Sequence, residues 1–312
     1  MANIKKILSR QGTLASLLIL IFIVTIINPT FLRMYNILNI FRQISNAGLI
    51  ALGMSFVIIT GGIDLSVGSI LALTSMIMGL LLHQGVSELL VIPLVLFIGI
   101  ILGALNGVFI SFIRLQPFIA TLATMTMYRG LTMILSNGIP VMEITKSAPV
   151  LDFLSQGRLF AIPIPMLVLI FFLIAFRILL QNTVFGRYVY AIGGNEEASR
   201  LSAIPINATK IAVYAISGFA STLGGILLSS RLSSSQPTAG AGFELDAIAA
   251  VVIGGTSLSG GKGKIMGTFL GVLVIGVLNN GLNIIGVSPF YQQFIKGVVI
   301  LSAVVLDRKK SK

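Results

Sequence analysis

The chain has 312 residues, 56% of them hydrophobic and only 10% charged, with a formal net charge of +12. Soluble domains carry about 25% charged residues, so a water-soluble fold is excluded and an all-α integral membrane protein is predicted. Long continuous apolar runs, in place of alternating segments of about ten residues, also exclude a transmembrane barrel.

The N-terminus sets Lys5, Lys6 and Arg10 before an apolar run. No A-x-A cleavage pattern follows, so this run reads as a retained first span, Leu14–Ile27, and not as a signal peptide. Further apolar segments are Ile37–Thr60, Val67–Leu82, Leu89–Ile113, Pro117–Leu135, Ile164–Leu180, Thr209–Ser230, Glu244–Ile253, Ile265–Ile285 and Tyr291–Leu306. About ten transmembrane elements are therefore expected in one domain, with an N-terminal half (1–135), a solvated loop (136–161) and a C-terminal half (162–312). A span needs about 20 apolar residues. Glu244–Ile253 is too short to cross alone; it is a half-span, extends into its flanks, or is buried against neighbours.

Lys and Arg set the orientation. With the N-terminus inside, the inner face collects Lys5, Lys6, Arg10, Arg114, Arg177, Arg187, Arg200, Lys210, Lys262, Lys264, Arg308, Lys309, Lys310 and Lys312. The outer face collects only Arg33, Lys146, Arg158 and Arg231, while Arg42, Arg129 and Lys296 fall within spans. Both termini are thus predicted to be cytoplasmic. The same placement in loops and tails, with no aromatic platform, argues against nucleic-acid binding.

Gly61-Gly62-Ile63-Asp64-Leu65-Ser66 echoes Gly254-Gly255-Thr256-Ser257-Leu258-Ser259. Two halves of five elements would be inverted repeats. The orientation, however, puts both motifs on one face, whereas inverted equivalents belong on opposite faces. Shared turn chemistry and a miscounted span both stay open. Gly99, Gly103 and Gly107 form a small-xxx-small ladder, the pattern of close helix packing where lipid supplies no hydrophobic drive, with a sugar-lined passage as the lesser alternative.

The longest polar interruption is Gly186–Ile206, GRYVYAIGGNEEASRLSAIPI. After Gly193 and Gly194, Asn195 is suited to cap a short helix whose first turn holds Glu196 and Glu197. Arg200 follows, and Leu201, Ile204 and Ile206 offer an apolar edge. From the residues alone, this is a helix lying on the membrane or one that docks in a partner's groove. Asp64, Ser66, Glu244 and Asp246 are candidates for helix caps first and for gating second. Gln43, Asn46, Asn106, Thr121, Thr124, Asn279, Asn280 and Asn283 are uncharged polar residues within spans. They suit the path of a neutral solute, and equally suit helix-to-helix bonding. GGTSLSGGKGK lacks the G-x-x-x-x-G-K-[ST] spacing and a preceding strand, so no ATP site is read there. With no cysteine and one histidine, His83, no His/Cys metal cage is available.

The polar stretch resembles the cytoplasmic coupling loop of the sugar-type ABC importer permeases. Glu197-Ala198 matches the acidic-alanine start and Pro205 the end, with Ala203 where such loops often have glycine. Gly48–Ser75, Gln116–Ile134, Arg231–Ile265 and Leu278–Leu301 resemble the same family, so the likeness covers nearly the whole chain after Met34. Its ribose-importing branch is nearest. The resemblance implies a permease subunit of the bacterial inner membrane that passes a monosaccharide, ribose, by alternating access. It implies a homodimer, an ATP-binding cassette ATPase docked on the cytoplasmic face, and an extracytoplasmic sugar-binding protein. The coupling-loop positions would be Gly193 to Ala198, Arg200, Leu201, Ala203, Ile204 and Pro205. No cofactor, metal or bond-changing activity is expected of the chain itself. The alternative is a secondary sugar transporter driven by an ion gradient, which would place ionisable groups near the midplane.

Overall fold

Within hydrocarbon every backbone N–H and C=O must find its partner inside the chain, so apolar runs of span length close into helices. The computed structural model describes residues 12–146 and 148–310, and these are predominantly helical. Lys5, Lys6, Arg10 and Lys312 lie outside the described residues, as do the side chains of Arg308, Lys309 and Lys310.

The first helix, α1 (Gly12–Ile27), leads into a 3-10 turn at Pro29–Leu32, where the Asn28 side chain accepts from the Thr30 N–H at 3.0 Å. Next come α2 (Met34–Ile59), α3 (Val67–His83), α4 (Glu88–Ser111) and α5 (Pro117–Ser136). A folded connection holds β1 (Val141–Met142), α6 (Pro149–Gln156), β2 (Arg158–Leu159) and β3 (Ile162–Pro163). The second part comprises α7 (Ile164–Asn182), α8 (Val184–Gly194), α9 (Glu196–Leu201), α10 (Ile206–Leu232), β4 (Ser234–Ser235), α11 (Phe243–Ile253), α12 (Ile265–Ile285) and α13 (Pro289–Lys310). Among the described residues six helices, α2, α4, α5, α7, α10 and α12, are long and apolar enough to cross a membrane; α1 and α3 are apolar but shorter.

The centre of the bundle is α10 packed against α2, α3 and α4, with α2 also touching α7, α11 and α12. The α4–α10 seam is close because Gly103 faces the Tyr214 carbonyl and Gly218; a Cβ at Gly103 would collide with that carbonyl. The glycine ladder is thus used for helix packing. From Leu49 to Ile59, α2 is buried throughout, and Phe56 meets Phe176 of α7 edge-on at 5.5 Å between ring centres.

The connection between α5 and α7 is not the solvated loop expected of 136–161. Ile144, Ala148 and Leu151 are buried against Met78, Leu82, Val91 and Val95. Pro149 starts α6, and the Glu88 carboxylate accepts from the Val150 N–H at 2.9 Å and the Leu151 N–H at 3.2 Å. β1 pairs with β4, Val141 opposite Ser235.

The short α11 extends into its N-terminal flank. The Ser235 hydroxyl donates to the Ser75 carbonyl at 2.7 Å, and Gly240 lies against Gly68. Ser75 and Gly68 are about 10 Å apart along α3 at 1.5 Å per residue. Residues 233–242 therefore run down the side of α3 as non-helical chain, and α11 continues from where they stop.

The two glycine motifs come together at one end of the bundle. The Gly261 N–H donates to the Ile59 carbonyl at 2.8 Å, and a Cβ on Gly260 would collide with Gly61 and Gly193. Inverted equivalents would stand at opposite ends, and these two motifs do not.

Candidate functional site

The end of the bundle where these glycine turns meet also carries α8 and α9. Thr183 caps α8, accepting from the Gly186 N–H at 3.2 Å, and the Tyr190 hydroxyl ties α8 to the Gly263 carbonyl at 2.7 Å. Burial of Tyr190 pushes its hydroxyl pKa up, consistent with its staying a donor. Gly193 sits so close to the Ile59 carbonyl that no Cβ would fit. Asn195 then caps α9, its side chain accepting from the Ala198 N–H at 2.9 Å. After α9 the chain turns through Ala203 at φ +57°, a left-handed conformation adopted here without glycine.

The two acids of α9 are not equivalent. Glu196 is held by Lys210 at 2.7 Å and by Arg200 at 3.6 Å. Glu197 is 76% exposed, with Arg200 at 3.8 Å. Gly194, Ala198 and Pro205 are also exposed, Leu201 is 83% exposed, and Ile204 is half-buried. Ile206, expected on the apolar edge with Leu201, is buried instead. What protrudes is a short ridge of Glu197, Ala198 and Leu201, braced from beneath by the Glu196–Lys210 pair and the glycine turns.

The intramembrane-type carboxylates have found separate partners. Asp64, in the turn between α2 and α3, is wholly buried. It accepts from the Ser66 N–H at 3.0 Å, the Ser66 hydroxyl at 2.6 Å and the Ser217 hydroxyl at 2.8 Å. Burial pushes its carboxyl pKa up, and these hydrogen bonds pull against that. Ser66 does not cap α3 with its own side chain; it accepts from Asn106 Nδ2 at 2.7 Å. Glu244 accepts from the Gly242 N–H at 3.2 Å at the start of α11. Asp246 pairs with Lys296 at 2.9 Å. Arg129 donates to backbone, to the Pro237 carbonyl at 2.7 Å and the Ala239 carbonyl at 2.9 Å, which satisfies the non-helical segment inside the bundle. Arg42 Nε is buried with no hydrogen-bond partner among the described residues.

Of the path candidates, Gln43 and Asn279 line a cavity of about 50 Å³ between α2, α11 and α12, together with Asp246 and Gly276. A cavity of about 150 Å³ is what holds benzene, so this one is too small for a sugar. Asn279 Oδ1 is buried there without a partner among the described residues. The others are drawn into helix contacts. Asn106 serves Ser66, Thr121 donates to the Pro117 carbonyl at 2.8 Å, and Thr124 to the Thr121 carbonyl at 3.2 Å. Asn280 and Asn36 exchange hydrogen bonds at 3.0 Å, Asn283 accepts from Gln292 at 2.9 Å, and Asn46 is buried in α2. Sequence reasoning missed Asn36, Glu88 and Ser217. A polar side chain at the edge of an apolar run was the available signal for Asn36, and one in the middle of a run for Ser217.

Residues 36–304 match the family described as branched-chain amino acid transport system / permease component. The chain belongs to this permease family. It is 51% identical to the ribose import permease protein RbsC of Bacillus subtilis over 98% of this chain and 94% of that protein. It is 48% identical to the ribose import permease protein RbsC of Escherichia coli over 97% of this chain and 95% of that protein. With the L-arabinose transport system permease protein AraH of Escherichia coli it shares 37% over 98% of this chain and 93% of that protein. No solved structure matches the chain significantly. The permease is thus a multi-pass transport subunit of the inner membrane, and the ATPase of such importers is a separate subunit.

Proposed function

We propose that this permease passes ribose into the cytoplasm as the membrane subunit of an ABC importer. The observation that carries this reading is the identity gradient: 48–51% with ribose permeases, against 37% with the arabinose permease and 38% with the D-allose transport system permease protein AlsC of Escherichia coli.

In this reading the chain is one permease domain of ten crossings, nine helical and one broken, in which residues 233–253 make the broken crossing. The Lys/Arg bias sets α9 and both termini in the cytoplasm. The ATPase takes the ridge of Glu197, Ala198 and Leu201 in a groove. The sugar-binding protein docks at the opposite end, over 137–163. A second copy of the chain completes the passage, as the resemblance to the importer permeases implies. ATPase closure displaces α9, and the braced glycine turns carry that displacement to α2 and α12; each state is favoured by the partner that binds it more tightly.

The fully buried Asp64 gives the ion-driven alternative its one observation. Uptake of labelled ribose into proteoliposomes separates the two. The importer requires the ATPase, the binding protein and ATP together. Uptake by this chain alone on a proton or sodium gradient would overturn the proposal.

A further inference from the structure

Beside α9 lies a cavity of about 540 Å³, walled by the α4–α5 turn, the Thr60–Gly62 turn and the start of α10. Three cations line it, Arg114, Arg200 and Lys210, against one acid, Glu196. Lys210 and Arg200 are engaged by Glu196, and Arg200 also approaches Glu197. Even with both acids counted, one positive charge stands unopposed, and Arg114 makes no ion pair among the described residues. Arg114 is held at φ +60°, a left-handed conformation rare outside glycine. The N-termini of α5 and α10 open onto this space, but the C-terminal turns of α2 and α4 offset them, so the side chains carry the charge.

A second observation is independent of charge. Ser111 lines the same cavity, is only 8% exposed, and its Oγ is buried with no hydrogen-bond partner among the described residues. A native buried hydroxyl without a partner points to a missing one. The rim beyond it is apolar: Phe112 is 63% and Leu115 41% exposed.

We infer that this cavity is a binding site for a phosphate-ester anion, with Arg114 supplying the charge and Ser111 Oγ a hydrogen bond. The anion has two sources, an anionic phospholipid headgroup with its chains over Phe112 and Leu115, or a soluble phosphate. Basic pockets between membrane helices are suited to lipid headgroups.

The test uses the full chain in nanodiscs of phosphatidylcholine, read by thermal unfolding. One arm adds phosphatidylglycerol to the discs; the other adds inorganic phosphate to the buffer. The wild-type protein is expected to be stabilised by at least one of these. In Arg114→Gln and in Ser111→Ala, the amount needed for half the shift should rise about tenfold or more, the loss expected for a hydrogen bond to a charged group. Ser111→Ala should be at least as stable as wild type in phosphatidylcholine alone, since it removes an unpaired buried hydroxyl, so it reports on the site even if Arg114→Gln folds poorly. A shift with phosphatidylglycerol only assigns a lipid; a shift with both assigns a general phosphate site. No shift in either arm, or an unchanged shift in Ser111→Ala, overturns the inference.

Discussion

Asp64 is held by three donors, the Ser66 N–H and the hydroxyls of Ser66 and Ser217, with no cation in contact among the described residues. Its burial raises the carboxyl pKa above the usual range, against the pull of these three hydrogen bonds. The sign follows from linkage. Stability is greatest below the ordinary carboxyl pKa of about 3.9 and falls as pH rises through the raised native value. Asp64→Asn keeps an acceptor for the Ser66 N–H and removes the titration. It should stay within about 1 kcal/mol of wild type and flatten this part of the pH profile. Asp64→Ala leaves three donors unpaired and should lose about 2–3 kcal/mol or more. Thermal unfolding in detergent across pH checks both; equal behaviour of the two variants would mean that the hydrogen bonds do not matter.

Packing and protrusion can be tested on separate elements. At the α4–α10 seam Gly103 has no room for a side chain, so Gly103→Val should destabilise by roughly 1–3 kcal/mol or more by overpacking. On α9, Glu197→Lys reverses an exposed charge and should weaken co-purification of the ATPase with little change in unfolding temperature. Glu196→Gln instead releases Lys210 and should lower stability first. If Glu197→Lys retains the ATPase at the wild-type level in a pull-down, Glu197 is not an anchor. The helices around these sites were legible because apolar runs of span length have one structural solution in lipid. So was the Asn195 cap, because capping is local. Residues 233–242 read as a loop, since Ser, Gly, Pro and Thr dominate them. They enter the bundle because Arg129, 108 and 110 residues away from its acceptors, satisfies their carbonyls. Contacts of that range leave no local pattern, and Glu88 capping α6 was hidden for the same reason.

At the scale of the whole molecule, the two ends of the bundle differ in what they offer a partner. One end carries the braced α9 ridge and the basic cavity beside it; the other carries the folded cover of α6 and its two small β-pairs. Transport by alternating access requires these ends to face different compartments, and the Lys/Arg distribution chooses which. The sequence contains no cysteine, so single cysteines can be placed without background. Glu197 is 76% exposed on α9 and Phe160 is 92% exposed at the other end, so neither replacement disturbs packing. In intact cells a membrane-impermeant maleimide should label Phe160→Cys and spare Glu197→Cys, and permeabilisation should render Glu197→Cys reactive. The opposite pattern would put the α9 ridge outside, beyond the reach of any ATP-driven partner, and the importer reading would fail with it. Labelling of both sites in intact cells would fail it equally, because an ATPase cannot drive a ridge that lies outside the cytoplasm.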